Sequence, residues 1–328
     1  MTDNIQYACL IIYLLALVSL FIYGMNCYLL MIFYFFKSPK ARKQHQEIKE
    51  AFFRKVSPAD WPSVTIQLPV FNERYVVKRL IQSVCRFDYP KELLEIQILD
   101  DSTDDTADIA KTAIAEMRRQ GFDIGYIHRD DRIGFKAGAL KEGLKTAKGE
   151  LVAIFDADFI PHPSFLKETI PYFAHPEIGM LQARWGHINS DYSLLTKAQS
   201  MGIDGHFGVE QAARAWSGFF MNFNGTAGIW RKTTIEDAGG WQADTLTEDL
   251  DLSYRAQLKG WKLKFVSDVV CPAEIPVTIN AFKSQQHRWA KGSIQTAKKN
   301  LGRLFRSDLS LLVKFQAFMH LTHYMVHP

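Results

Sequence analysis

From Asn4 to Phe36 the chain carries no Asp, Glu, Lys, Arg or His, and this run limits its fold more than any other feature. A helix needs roughly 20 apolar residues to cross a bilayer core, and the run exceeds that. Tyr7, Tyr13, Tyr28 and Tyr34 sit near its ends or between its turns, as interfacial aromatics do. It is too long for the apolar core of a cleaved leader, has no basic segment before it, and lacks a small-residue cleavage pattern. Residues 5–36 therefore read as a transmembrane helix. Lys37, Lys40, Arg42 and Lys43 follow at once, so the positive-inside rule sets the N-terminus outside and everything downstream in the cytoplasm. Residues 37–61 read as a basic, partly helical juxtamembrane connector near the headgroups.

From Trp61-Pro62 onward, strands and helices alternate at short spacing. Val64–Val70, Glu95–Leu99, Asp123–His128 and Leu151–Phe155 read as strands. Helices are predicted from the Phe71-Asn72-Glu73 turn to about Arg86, from the Asp104-Asp105-Thr106 cap to about Gln120, and over Lys136–Thr146. Such alternation marks an α/β domain with a mostly parallel, Rossmann-like sheet and helices on both faces. Further on, Gly179–Arg184 and Trp261–Val266 read as strands, and Asp191–Trp216 and Ile279–Leu301 as long helices. Asn224-Gly225, between Phe219–Phe223 and Thr226–Arg231, predicts a β-hairpin. Leu309–Val326 has apolar residues at helical spacing, so 302–328 is either an interfacial amphipathic helix or the start of a C-terminal membrane region. The stop at Val326-His327-Pro328, without a capping or tail signal, raises the expectation that this is the front part of a longer membrane protein.

The strand Leu151–Phe155 runs straight into Asp156-Ala157-Asp158. Ligands of open α/β sheets lie beyond the carboxyl ends of the strands, and strand alternation turns both carboxylates the same way. Two hard oxygen ligands suit Mg²⁺ or Mn²⁺ rather than zinc, although the motif by itself also fits a solvated acidic turn. Two more strands end in residues able to bind a ligand, Asn72/Glu73 and Asp100/Asp101. With Lys136 as a point charge for phosphate, the set suits a nucleoside diphosphate whose leaving charge a metal neutralises. Asp100 or Asp101 can accept from a base imide or from ribose hydroxyls. Thr247-Glu248-Asp249 reads as a helix N-terminus, where the dipole stabilises carboxylates; a transferase with an alcohol acceptor also needs a general base. Arg288-Trp289 offers a guanidinium for diphosphate oxygens and an indole face for a sugar ring. A net charge of +4 without an arginine-rich arm speaks against nucleic-acid binding. Cys9, Cys27, Cys85 and Cys271 are scattered without metal-ligand spacing, as reduced thiols facing the cytosol.

In this order the motifs resemble the processive family-2 glycosyltransferases of the cellulose-synthase superfamily, whose signature is D, D, D, Q-x-x-R-W on a GT-A fold. The signature is present as Asp100-Asp101, Asp156-Ala157-Asp158, Thr247-Glu248-Asp249 and Gln285-Gln286-His287-Arg288-Trp289. The stretches Leu99–Asp104, Phe135–Gly143, Ala153–Phe159, Gln182–Trp185 and Phe223–Arg231 are similar to cellulose-synthase-like β-mannan, glucomannan and xyloglucan-backbone glucan synthases. The resemblance implies a GT-A glycosyltransferase domain over 62–301, a nucleotide-sugar donor (UDP-glucose or GDP-mannose), a glycan acceptor, and Mg²⁺ or Mn²⁺. It implies residence in the plasma membrane, or in the Golgi if the source is eukaryotic. By the same resemblance, Glu73 and Asp100 or Asp101 hold the nucleoside, Lys136 lies near the base or diphosphate, and Asp156 and Asp158 hold the donor and its metal. Asp249, with Glu248 beside it, becomes the base for the acceptor hydroxyl. Gln285, Arg288 and Trp289 gate the donor and stack the terminal acceptor sugar. Asn224-Gly225-Thr226 matches the acceptor-side motif, with Asn224 in place of its usual cysteine. One in-line displacement on an α-linked donor then gives a β-linkage.

Synthases of this type carry several more membrane helices after the Q-x-x-R-W helix, and this chain ends before them, so secretion of a polymer is not expected of it. A non-processive lipid glycosyltransferase of the ceramide type shares the same series and stays open, because only product length separates the two. A non-catalytic membrane scaffold is the remaining alternative, opposed by the intact D-x-D and Asp249.

Overall fold

The computed structural model describes residues 2–325, so Val326, His327 and Pro328, the end of the expected last helix, lie outside the described residues. The apolar run and the basic connector form one helix, α1 (Thr2–Lys55), which continues through Pro39. It is long and apolar enough to cross a membrane, and most side chains of its charge-free part are exposed. Further along, α1 is docked: His45 Nδ1 is 2.7 Å from the Tyr172 hydroxyl, Lys49 pairs with Glu168, and Phe52 joins the core.

The elements that follow are β1 (Val64–Val70), α2 (Val77–Val84), β2 (Leu94–Asp100), α3 (Thr106–Arg119), β3 (Asp123–His128), α4 (Phe135–Thr146) and β4 (Leu151–Ile154). After these come α5 (Phe165–Thr169), β5 (Ile178–His187), α6 (Leu194–Gly205), α7 (Ala212–Ser217), β6 (Gly228–Arg231) and α8 (Lys232–Asp237). The chain finishes with α9 (Glu248–Leu258), β7 (Lys262–Ala273), α10 (Ile279–Arg306) and α11 (Leu311–Thr322). The strands form one sheet in the order β3-β2-β1-β4-β6-β5-β7. Only β6 runs against its neighbours, β4 and β5, so the sheet is mostly parallel, as expected. Strand alternation feeds two cores. Ile66, Ile96 and Ala153 pack on α2 and α3 through Leu80, Ile81 and Ile114. Val152, Ile154 and Trp230 pack on the opposite face with Leu140 of α4 and Leu252 of α9. Strand order reverses at β1, which has β2 on one side and β4 on the other, and a crevice opens there.

Three expectations are corrected. Residues Phe219–Phe223 form no strand, so Asn224-Gly225 closes no hairpin. Side chains satisfy that backbone instead: Gln257 bonds Met221 at both its N–H and C=O (3.0 and 2.7 Å), Ser253 Oγ accepts from Phe223 N, and Gln182 Oε1 accepts from Asn224 N. The expected helix Asp191–Trp216 is three pieces. A Ser193–Thr196 capping box starts α6, and a π turn over His206–Gln211 separates it from α7. β7 is also longer than expected, because it pairs with β5 on both sides of a register shift.

Candidate active site

A cleft of about 720 Å³ opens at the carboxyl ends of β1, β2, β4 and β5, under α10. Glu73, Asp101, Lys136, Asp156, Asp158, Asn224, Gly225, Glu248, Asp249, Gln285, Arg288 and Trp289 all line it. Residues more than two hundred positions apart in the chain thus converge. All four non-glycine residues with positive φ among the described residues (Asn72, Arg132, Phe135 and Ala227) lie in it or next to it, where a fold tolerates backbone strain for the sake of a site.

Two of the expected residues do not line it. Asp100 is fully buried beneath the cleft, and its carboxylate accepts from the Tyr126 hydroxyl (2.6 Å) and from Ser102 N (2.9 Å). Adjacent strand residues face opposite ways, so of Asp100-Asp101 only Asp101 reaches the opening. Thr226 is fully buried as well; its Oγ1 accepts from Asp156 N at 2.9 Å and fixes the tip of β4. Sequence reasoning missed Arg129, which donates to Asp101 (2.8 Å) and to the carbonyls of Ile133 and Phe135 (2.9 Å each), fastening the loop that leads into α4 and its Lys136. Its place directly after a strand was the available signal.

Asp156 and Asp158 face the cleft together. Lys136 Nζ donates to Asp156 (2.5 Å) and to the carbonyl of Gly225 (2.9 Å). Burial opposes the charge on Lys136, but Asp156, Glu248 and Asp249 outweigh it and hold its pKa above the usual lysine range. Burial, reinforced by Asp156, pushes the Asp158 carboxyl up to about 7, and burial followed by Asp156 raises Glu73. Carboxylates this crowded favour a cation, and one of them already holds the Lys136 ammonium as a stand-in. Among the described residues no trio of His, Cys, Asp or Glu surrounds a single point. The pair therefore fits a hard divalent ion that also needs ligands from outside the protein. The sign of the resulting pH dependence follows. A carboxyl whose folded pKa is raised stabilises the fold below its unfolded value of about 4, and that contribution is lost as pH rises to about 7. Asp158→Asn is therefore expected to melt progressively higher than the metal-free parent as pH rises across that window. A constant difference in thermal midpoint would refute the shift.

Opposite the pair, Glu248 and Asp249 begin α9. Burial, then the Glu248 charge, raises the pKa of Asp249, and burial also raises that of Glu248. Asp249 Oδ1 accepts from Leu250 N (2.8 Å). Gly225 has φ +82°, and a Cβ there would lie 3.0 Å from Asp249 Oδ2 and 3.3 Å from Lys136 Nζ, so only glycine lets these groups come this close. Gln285, Arg288 and Trp289 fall on one face of α10 at i, i+3, i+4. Its inner face clamps the approach to α9. Leu246 N donates to Gln295 (2.9 Å), Thr247 meets Thr296 (3.1 Å), and Lys299 donates to Gln242 (2.7 Å), Asp244 (2.7 Å) and Asp251 (3.0 Å). Gly292 permits this closeness, since a Cβ would strike Thr247 at 2.5 Å. Beyond Trp289 a more apolar cavity of about 470 Å³ continues from the cleft, sharing Asn224, Asp249, Gln285 and Trp289 and reaching His206, Glu210 and His320. Asn224 accepts from Gln211 (2.9 Å) and lies 3.2 Å from His206 Nε2, which ties it to the π turn.

A family model described as glycosyltransferase like family 2 matches residues 62–292. Glucomannan 4-beta-mannosyltransferase 2 of Arabidopsis thaliana is 41% identical over 306 residues, which is 92% of this chain and 57% of that protein. Glucomannan 4-beta-mannosyltransferase 1 of Oryza sativa subsp. japonica is 44% identical over 252 residues, 75% of this chain and 48% of that protein. The chain thus spans about half the length of the curated relatives it matches. Among solved structures, the mannosyltransferase PcManGT from Pyrobaculum calidifontis, in complex with GDP-Man and Mn²⁺, aligns with a TM-score of 0.65 at 21% identity, over 90% of this chain and 81% of that one. S. aureus TarS in complex with UDP-GlcNAc aligns at 0.58 and 18% identity, over 80% and 72%. These likenesses place the part of the chain that follows α1 in the GT-A-like fold.

Proposed function

From the fact that this chain belongs to glycosyltransferase-like family 2, we propose that it moves a hexose, with mannose from GDP-mannose favoured over glucose, from a nucleotide sugar to a β-linked glycan acceptor. The observation that carries this reading is the arrangement of the cleft. Asp249 faces the Asp156/Asp158 pair, with Lys136 and Gly225 between them and Arg288 and Trp289 overhead on α10. The names of the relatives favour mannose.

In the proposed reaction, Asp249 takes the proton of an acceptor hydroxyl, and that oxygen attacks the donor's anomeric carbon as the bond to the diphosphate breaks. One displacement inverts the anomeric centre. Its raised pKa makes Asp249 a stronger base near neutral pH than an ordinary aspartate. Lys136 and Arg288 face the departing diphosphate. Among the described residues no carboxylate pairs with Arg288, so its guanidinium is available to phosphate oxygens. A divalent cation, which Asp156 and Asp158 would hold, supplies further neutralisation of that charge; the presence of Mn²⁺ with GDP-Man in PcManGT supports this. Trp289, at the junction of the two cavities, gives the acceptor sugar an apolar face. The apolar run of α1 would hold the protein in a membrane, with the cleft on the cytoplasmic side.

Calorimetric titration of the purified chain with GDP-Man, with and without Mn²⁺, tests donor and metal together. Asp158→Ala is expected to weaken Mn²⁺-dependent donor binding by at least about 100-fold, since even outer partners of metal ligands contribute roughly 10–100-fold. Binding that ignores Mn²⁺, or survives in Asp158→Ala, would remove the pair from the metal role. Labelled donor that ends in a lipid carrying one sugar would overturn the glycan acceptor.

A further inference from the structure

Where α1 leaves its charge-free run, a separate cavity of about 200 Å³ lies between α1 and the outer side of β7. Lys37, Lys40 and Arg42 line it from α1, and Lys264 lines it from β7. Trp216 forms an apolar wall, stacked on Tyr34 at a ring separation of 5.7 Å. The cavity shares no lining residue with the catalytic cleft or its extension. Four cations face one carboxylate, Asp268. Among the described residues none of the four has a carboxylate within ion-pair distance, whereas their neighbours Lys43 and Lys262 pair with Glu47 and Glu177. Lys264 is half-buried, and burial followed by the Lys262 charge holds its ammonium below the usual lysine range. An unpaired, partly desolvated cation costs stability unless an anion reaches it.

We propose that this cavity binds the phosphate of an anionic phospholipid headgroup, joining α1 to β7 at the membrane surface. Its first lysine, Lys37, directly follows Phe36, the last residue of the charge-free run, and this is the level at which headgroup phosphates meet a spanning helix. Lysine and arginine together suit a phosphate. A space of about 200 Å³ holds a phosphate and its glycerol linkage but falls short of the roughly 300 Å³ at which pockets for larger ligands begin. The Trp216 wall suits the start of an acyl chain. The inference rests on α1 carrying its apolar run in lipid and is independent of the donor chemistry.

Native mass spectrometry of the full chain in detergent tests it, with phosphatidic acid, phosphatidylcholine and inorganic phosphate as separate additions. The chain is expected to retain phosphatidic acid several-fold more than phosphatidylcholine, and inorganic phosphate is not expected to displace it. Lys264→Gln should lose most of that retention. The double change Lys40→Gln with Arg42→Gln, on the exposed face of α1, should do the same without disturbing the β7 packing. Lys43→Gln, whose lysine lies outside the cavity, should leave retention unchanged. Equal retention of the two lipids, or retention unaffected by both cavity variants, overturns the proposal. Binding of inorganic phosphate without phosphatidic acid would make this a free-anion site and overturns it as well.

Discussion

Asp249→Asn is expected to slow sugar transfer by about 10²–10⁴-fold, the usual contribution of a positioned general base, equivalent to roughly 3–5 kcal/mol of barrier. Donor affinity should stay close to that of the parent, because Asp249 lies across the cleft from Asp156 and Asp158. The amide keeps the size of the side chain and a carbonyl for Leu250 N, which the carboxylate accepts at 2.8 Å. What it cannot do is take a proton. The effect belongs in kcat, and an unchanged KM for the donor would separate lost chemistry from lost binding. Glu248, one residue away, also lines the cleft, whereas Asp251 on the same turn is fully buried, so Glu248→Gln is the matching control and should cost less. Turnover of labelled donor by the full chain in detergent reads both. A rate for Asp249→Asn within a few-fold of the parent would mean that another group deprotonates the acceptor.

The second large effect concerns stability. Asp251 has no exposed surface, and its carboxylate accepts from Arg255 Nε (2.8 Å), Lys299 Nζ (3.0 Å) and Asn300 Nδ2 (2.9 Å). Removing one member of a buried ion pair costs about 3–5 kcal/mol, because its partner keeps the desolvation cost without the attraction. Arg255 is itself 5% exposed. Its remaining bonds, to the carbonyls of Ala238 and Gly240, and those of Lys299 to Gln242 and Asp244, soften the loss. For a domain of this size Asp251→Ala should lower the melting midpoint by on the order of 10 °C. The same change frees α10 from α9, so Arg288 and Trp289 lose their fixed place opposite Asp249, and kcat should fall alongside stability. A midpoint shifted by less than about 2 °C would show that the helices are held by their apolar contacts instead.

Local pattern carried the first half of this fold. Val64–Val70 and Asp123–His128 have the strand limits that their composition predicts, and the D-x-D lies at a strand end because a strand's apolar run and its polar end are adjacent in sequence. The second half was hidden wherever a distant side chain does the work of backbone. The Asn224-Gly225 dipeptide carries a real turn signal, and Gly225 does have positive φ. Yet Gln182, Ser253 and Gln257, from β5 and α9, had already taken the backbone groups that a hairpin partner would need. The π turn at His206 has no residue signature comparable to the Ser193 capping box next to it. In the site, the D-x-D and Q-x-x-R-W residues were legible because each motif is contiguous or one helix turn long. Lys299 and Asp251 were not: their roles exist only where two helices cross, and alone each is an ordinary helical charge. Choosing between Asp100 and Asp101 needed the strand's facing, which adjacent identical residues do not reveal.

The unbroken α1 has a mechanical consequence. It is gripped near Leu30 by Ala213 and Phe219, at Asn26 by Gln316 (2.7 Å), and again at His45, Lys49 and Phe52. One continuous helix, with Pro39 inside it, joins the apolar part to the domain. At 1.5 Å per residue, the stretch from Phe36 to Lys55 is a lever on the order of 30 Å long. Whatever tilts the apolar part by ten degrees carries the far end about 5 Å sideways. The attitude of the cleft is therefore not the domain's own to choose; it is dictated by whatever surrounds the first thirty-odd residues.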